Sequence, residues 1–301
     1  MNILAARHAH AFLNYTPATD ATLRPEQLST GGKISLLFTG ASVPRPANAS
    51  DPSSLALPFT THRIAIGNDW LELWQVPAEG AAAGTAILCP GYKSSKSSLL
   101  PEAAAYRALG FETILVDFRG AGGSSGSDTT LGIREAEDVA LVVRWIKERE
   151  SSRKLVLFGR SMGAAAVLGA IARHAVKPAA VVIECPFDRM LNAVRNRFGS
   201  LGVPSFPCAE LLVFWGGRQI GFDGFDNNPV RDAERVDCPV LVMGGGKDAR
   251  ATPLQVRAVF DQLPGEKQFH LFENAGHEPF RKSDPPAWDR IVSEFLHRHV
   301  P

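Results

Sequence analysis

From about residue 60 the chain alternates regularly: short apolar, β-rich runs are each followed by a glycine-bearing loop and then by apolar positions at helical spacing. This pattern predicts strands over 62–66, 70–76, 85–89, 113–117, 154–158, 180–184, 239–243 and 268–272, and helices near 98–109, 134–149, 161–174, 253–263 and 286–299. The first two strands have no helix between them and should pair as an antiparallel hairpin. The later ones are separated by crossover helices and should run parallel. The expected fold class is α/β, a mostly parallel central sheet with helices on both faces.

The alternation fails in two places. Residues 1–57 hold a short apolar segment and then Pro-, Ser- and Ala-rich sequence of weak periodicity, which reads as an N-terminal extension rather than a domain. Residues 188–234 scatter aromatic and leucine side chains among glycines and prolines. That segment is too apolar for a solvated linker and too long for an ordinary loop. It is expected to be a helical cap insertion between two parts of the core, 58–187 and 235–301, folded over the strand C-termini where open α/β sheets bind ligands. Phe206, Leu211, Phe214 and Trp215 then become candidate substrate-contacting residues, unless the cap only buries core.

Composition narrows the possible partners. Of 301 residues, 45% are hydrophobic and 21% charged, as in ordinary globular proteins, and 32 Lys and Arg face 31 Asp and Glu. A net charge of +1 favours neither nucleic acid nor an anionic membrane, and suits a small-molecule substrate. Cys89, Cys185, Cys208 and Cys238 have no metal-ligand spacing and read as free thiols of a reducing compartment. With no export signal and no apolar run of membrane length, a cytoplasmic location without stable membrane insertion is expected.

Gly159-Arg-Ser161-Met-Gly163 lies between an apolar run and an Ala-rich helix. A serine displayed on so tight a strand-to-helix turn needs minimal residues two positions to either side, so that strand and helix can approach. The free N–H groups and the positive dipole end of that helix would face a developing oxyanion. A serine needs a base. Of eight histidines only His277 stands in a loop just beyond a strand and ahead of the last helix. An acid must orient it, and Asp248 follows the preceding strand through a glycine-rich loop. Asp188 is the competing acid; its other role is to cap the first helix of the insertion. The N–H of Met162 is one expected oxyanion donor, and that of Tyr92, in Pro90-Gly91-Tyr92, the second. Lys93 and Lys96 are read as solvated, with contact to an anionic substrate as the alternative.

Gly159-Arg-Ser-Met-Gly163, Asp117-Phe-Arg-Gly-Ala-Gly-Gly-Ser-Ser125, Gly245-Gly-Lys-Asp248 and Gly276-His277 together resemble the α/β-hydrolase superfamily over roughly residues 60–300. The second motif resembles a turn that shapes the core in esterase-like members. The chain departs from the usual His-Gly of the oxyanion loop, carrying Pro90-Gly91. The resemblance implies a serine hydrolase with Ser161 as nucleophile, Asp248 as acid, His277 as base and no cofactor. It would cleave carboxylic esters of short to medium acyl chain through an acyl-enzyme. Peptidase, amidase or thioesterase activity is the alternative on the same residues. The rivals are a non-catalytic binding protein of the same fold, and a membrane-surface lipase anchored by Ile3, Leu4, Phe12 and Leu13.

Overall fold

The computed structural model describes residues 1–17 and 42–300; the rest of the N-terminal extension lies outside the described residues. Eight strands form one sheet: β1 (Thr60–Ile66), β2 (Asp69–Val76), β3 (Gly84–Cys89), β4 (Phe111–Val116), β5 (Leu155–Arg160), β6 (Ala180–Glu184), β7 (Val240–Gly245) and β8 (Lys267–Phe272). Their spatial order is β1-β2-β4-β3-β5-β6-β7-β8. The opening hairpin is antiparallel and β2 meets β4 antiparallel, while every later pairing is parallel. Strands β3, β5, β6 and β7 are buried at every position, as expected for parallel strands covered on both faces. Edge strand β1 instead alternates exposed with half-buried residues.

The covering helices are α2 (Leu100–Ala108), α3 (Ile133–Arg149), α4 (Met162–His174), α8 (Pro253–Gln262) and α10 (Pro285–His299). Neighbouring residues of β5 show how two of the layers divide. Phe158 meets Tyr106 of α2 and Trp288 of α10 edge-on, with centroids 6.1 and 6.4 Å away, whereas Gly159 faces the backbone of α4. Successive strand residues point to opposite faces, so α2 and α10 cover one side and α4 the other. Each such aromatic pair adds roughly 0.5–1.5 kcal/mol beyond the area it buries.

The turn of Asp117-Phe-Arg-Gly-Ala-Gly-Gly-Ser-Ser125 is held by charge. Lys96 is fully buried over the Trp74 ring, 4.2 Å from its centroid, and pairs with Glu72 (3.0 Å) and with Asp117. Asp117 also accepts from the N–H groups of Lys96 (2.7 Å) and Gly123 (2.8 Å). This corrects the expectation of a solvated Lys96: a buried ammonium needs partners, and Glu72 within β2 and Asp117 just after β4 supply them.

Between β6 and β7 the chain forms α5 (Met190–Ser200), α6 (Cys208–Ile220) and the short α7 (Pro229–Ala233); after β8 the one-turn α9 (Phe280–Ser283) precedes α10. The N-terminal residues, whose weak periodicity predicts no element, begin with α1 (Asn2–Leu13). It packs along α6. Leu13 and Ala9 fill the space over Gly216, Trp215 Nε1 donates to Asn2 Oδ1 (3.2 Å), and Gln219 Nε2 donates to the Ala6 carbonyl (2.9 Å). Beyond α1, Tyr15 N–H donates to Ser127 O (2.6 Å) and Thr129 N–H to Leu13 O (2.8 Å). The extension is thus fastened to both the insertion and the core. Among the described residues, no helix is long and apolar enough to cross a membrane.

Candidate active site

Ser161 sits where β5 ends and α4 begins, at φ 54° and ψ −112°, a conformation a non-glycine residue holds only at a cost of roughly 1–3 kcal/mol. Both flanking glycines are sterically required. A Cβ on Gly159 would lie 2.5 Å from the Gly163 carbonyl oxygen, and one on Gly163 would lie 2.2 Å from that of Cys89. The Ser161 N–H donates to the Glu184 carbonyl across β5–β6 (2.8 Å), which fixes the turn.

The loops after β7 and β8 meet beside it. A Cβ on Gly245 would lie 2.5 Å from the Gly276 oxygen, so only glycine lets these loops approach so closely. Asp248, buried, lies 2.7 Å from His277 Nδ1 through Oδ2. Its Oδ1 accepts from the N–H groups of Arg250 (2.7 Å) and Ala251 (2.9 Å), which locks the carboxylate. His277 Nε2 lies 3.0 Å from Ser161 Oγ. With the proton on Nδ1, the imidazole donates to Asp248 and its Nε2 accepts from the serine hydroxyl, the alignment a proton-abstracting histidine needs.

The competing acid lies elsewhere. Asp188 Oδ2 accepts from Asn192 Nδ2 (2.7 Å), and Oδ1 is buried without a partner among the described residues. Nor does it cap α5, whose N-cap position is Arg189.

Met162 is the first residue of α4, where a backbone N–H has no intrahelical acceptor. The loop after β3 rests on the nucleophile turn, since a Cβ on Gly91 would lie 3.6 Å from Ser161 Cβ. Tyr92 beside it donates its hydroxyl to Phe12 O (2.6 Å) and stacks on Tyr15, 6.2 Å between centroids. Burial pushes both phenols well up.

Sequence reasoning missed the layer beneath Ser161. Arg160, buried, donates from Nε to Glu184 (2.6 Å) and from its terminal nitrogen to Glu102 (2.5 Å), while Trp288 Nε1 donates to the other Glu184 oxygen (2.6 Å). Burial works against the Arg160 charge, but the two carboxylates outweigh it and push its pKa up. Burial likewise raises Glu184, which Arg160 only partly offsets. Charged residues within apolar strands were the one available signal.

The aromatic residues expected over the site are placed differently. Trp215 faces α1 and lines, with Ile3, Arg7 and His10, a groove of about 610 Å³. Phe206 and Phe214 are solvent-exposed, and Leu211 is half-buried. What the insertion lays on α4 is Met190 and Val213, clustered on Ala165 together with Phe187, which precedes the insertion. The side chains were mis-assigned because α6 has a second apolar partner, α1, that periodicity does not reveal.

Cys185, Asp248 and His277 bring one potential ligand atom each to within 4.8 Å of one another. Burial, then Glu184 and Asp248, raise the Cys185 thiol pKa, so a metal bound there would have to displace its proton.

The family model described as "Alpha/beta hydrolase family" matches residues 86–288, and the chain belongs to that family. An uncharacterized protein of Mycobacterium tuberculosis strain H37Rv is 28% identical over 272 residues, covering 88% of this chain and 86% of its own. A zebrafish lysophosphatidylserine lipase, ABHD12, is 26% identical over 63% of this chain and 51% of its own. Among solved structures, an esterase of Pyrococcus furiosus, Pf2001, superposes with TM-score 0.72 at 22% identity, over 86% of this chain and 97% of its own, a likeness of fold.

Proposed function

We propose that the protein is a serine hydrolase cleaving carboxylic esters of short to medium acyl chain. The observation that carries this reading is the unbroken series Asp248–His277–Ser161, with contacts of 2.7 and 3.0 Å, in the loops that follow β7, β8 and β5 of one sheet. His277 takes the serine proton as Ser161 attacks the carbonyl. The N–H groups of Met162 and Tyr92 receive the oxyanion, and His277 returns the proton to the leaving alcohol. Water activated by His277 then releases the acid. Residues 188–234 act as the cap, and Met190 and Val213 of the cap form an apolar wall with Phe187 just before it. Each methylene buried there gains about 0.8 kcal/mol, until packed side chains must be displaced. The esterase and lipase neighbours support ester chemistry, and four free thiols support a reducing, cytoplasmic setting.

Ser161→Ala should abolish turnover of para-nitrophenyl esters and labelling by a fluorophosphonate, a loss of several orders of magnitude with the fold retained. Across acyl lengths, kcat/KM should peak at short to medium chains. Labelling that survives at another serine removes Ser161 from the chemistry, and a peptide anilide cleaved faster than any ester overturns the substrate class.

A further inference from the structure

We propose that Lys93, Arg197 and Arg250 form an anion-binding subsite at the mouth of the Ser161 site, so that the ester this protein cleaves carries a carboxylate or phosphate group. The assignment rests on Ser161 acting as nucleophile.

The three cations come from three separate elements and are brought together by contacts to the site itself. Lys93 follows Tyr92 in the loop against Ser161 and holds a left-handed backbone, φ 61°. Its ammonium lies 5.5 Å from the Tyr92 ring centroid, and the guanidinium carbon of Arg197, from α5, lies 6.0 Å from the same centroid. Arg250 follows Asp248 by two residues and donates its N–H to that carboxylate. Its carbonyl accepts from Asn196 Nδ2 (2.8 Å), the neighbour of Arg197, and Asn196 also donates to Gln255 Oε1 (2.7 Å). The loop after β3, the insertion and the acid loop thus each contribute one positive charge, two of them over the Tyr92 ring and the third, Arg250, acting on both.

No carboxylate among the described residues pairs with any of the three, whereas Arg119, Arg134, Arg160, Arg173 and Arg195 all engage an acid. Lys93, Arg197 and Arg250 are open to solvent at their surface. The protein packed around Lys93, and then Arg197 and Arg250, lower its pKa; Arg197 is lowered in the same way by its surroundings and by Arg250. Like charges gathered without a counter-ion repel, and a bound anion relieves that repulsion while gaining charge-assisted hydrogen bonds. A neutral ester gains neither. The net charge of the whole chain, +1, supplies no such attraction, so the preference is local.

The test compares esters that differ only in charge: mono-para-nitrophenyl adipate against its methyl ester for a carboxylate on the acyl side, and monobutyryl glycerol phosphate against monobutyryl glycerol for a phosphate on the alcohol side. At low salt the anionic member of at least one pair is expected to have about tenfold or higher kcat/KM, mainly through KM, and the arm that responds names the anion. Salt should shrink the ratio, Arg197→Gln should bring it towards one, and Arg197→Glu should invert it. Titration with glycerol phosphate gives a readout without turnover: binding that weakens with salt and fails in Arg197→Gln supports the subsite even if no ester is cleaved, and absence of turnover sinks only the hydrolase reading. Rapid turnover of both neutral esters with ratios near one, and no binding of adipate or glycerol phosphate, overturns the subsite and leaves the hydrolase reading intact.

Discussion

Two groups of charge stand on either side of Ser161 and follow opposite rules. Below it, one arginine is shared by two acids: Arg160 is buried, bonded to Glu102 and Glu184, and Glu184 is further held by Trp288. At the mouth, Lys93 and Arg197 share a tyrosine, Arg250 joins them through Asn196, and none of the three pairs with an acid among the described residues. The lower group finds its charge partners within the protein, with one Glu102 oxygen left buried and unbonded, and it holds shape. The upper group is left to be satisfied from outside. Charges that serve a fold come with their partners, because burying them alone costs several kcal/mol, whereas charges that serve recognition remain unpaired where water still reaches them.

The contrast presupposes chemistry at the serine between the two groups, so the largest effect tests its acid. Asp248→Asn is expected to lower kcat by up to about four orders of magnitude, since the amide cannot set the His277 tautomer. Asp188→Asn should change it little. The reverse ranking in two folded variants would move the acid to the loop after β6.

A smaller effect separates the two groups directly. Arg160→Met leaves Glu102 and Glu184 buried without their cation and should destabilise the fold by about 3–5 kcal/mol in chemical denaturation. Arg197→Gln, removing a surface charge, should be nearly silent in the same measurement. Equal losses would erase the distinction.

The smallest effect is a pH dependence. Its surroundings, then Arg197 and Arg250, lower Lys93, so its charge is present at low pH and is lost as pH rises, below the ordinary lysine value of 10.5. Nearby Tyr92 stays neutral because burial pushes its phenol up. The ratio of anionic to neutral ester turnover should therefore fall on the alkaline side, and Lys93→Arg should keep it level to higher pH. A ratio flat to pH 10.5 in the parent protein would detach Lys93 from the effect.

Ser161, Asp248 and His277 were legible because strict local rules govern them: glycines where Cβ atoms would collide, and loops at strand ends. The strands were legible from their short apolar runs, and β6 falls on the expected 180–184. The order β4-β3-β5 and the extra antiparallel pairing of β2 with β4 depend on distant partners that periodicity does not encode. Lys96 read as a surface lysine because its acids, Glu72 and Asp117, are 24 and 21 residues away. Trp215 read as a substrate contact because nothing in its own segment announces α1. Arg197 and Arg250 carry no local signature, and become neighbours only when Asn196 reaches the carbonyl of Arg250.

The placement of α1 bears on how the molecule moves. One side of the helix lies on α6; the carbonyl of Phe12, near its end, accepts the Tyr92 hydroxyl, and Leu13 and Tyr15 bond to the stretch around residues 127–129. A clasp fastened at three points cannot release one while holding the others taut. Lifting α6 away from the sheet drags on the same helix that steadies the tyrosine beside Ser161. The first seventeen residues and the loop after β3 therefore belong to one breathing unit, and amide exchange along α1, α6 and residues 90–95 should rise and fall together.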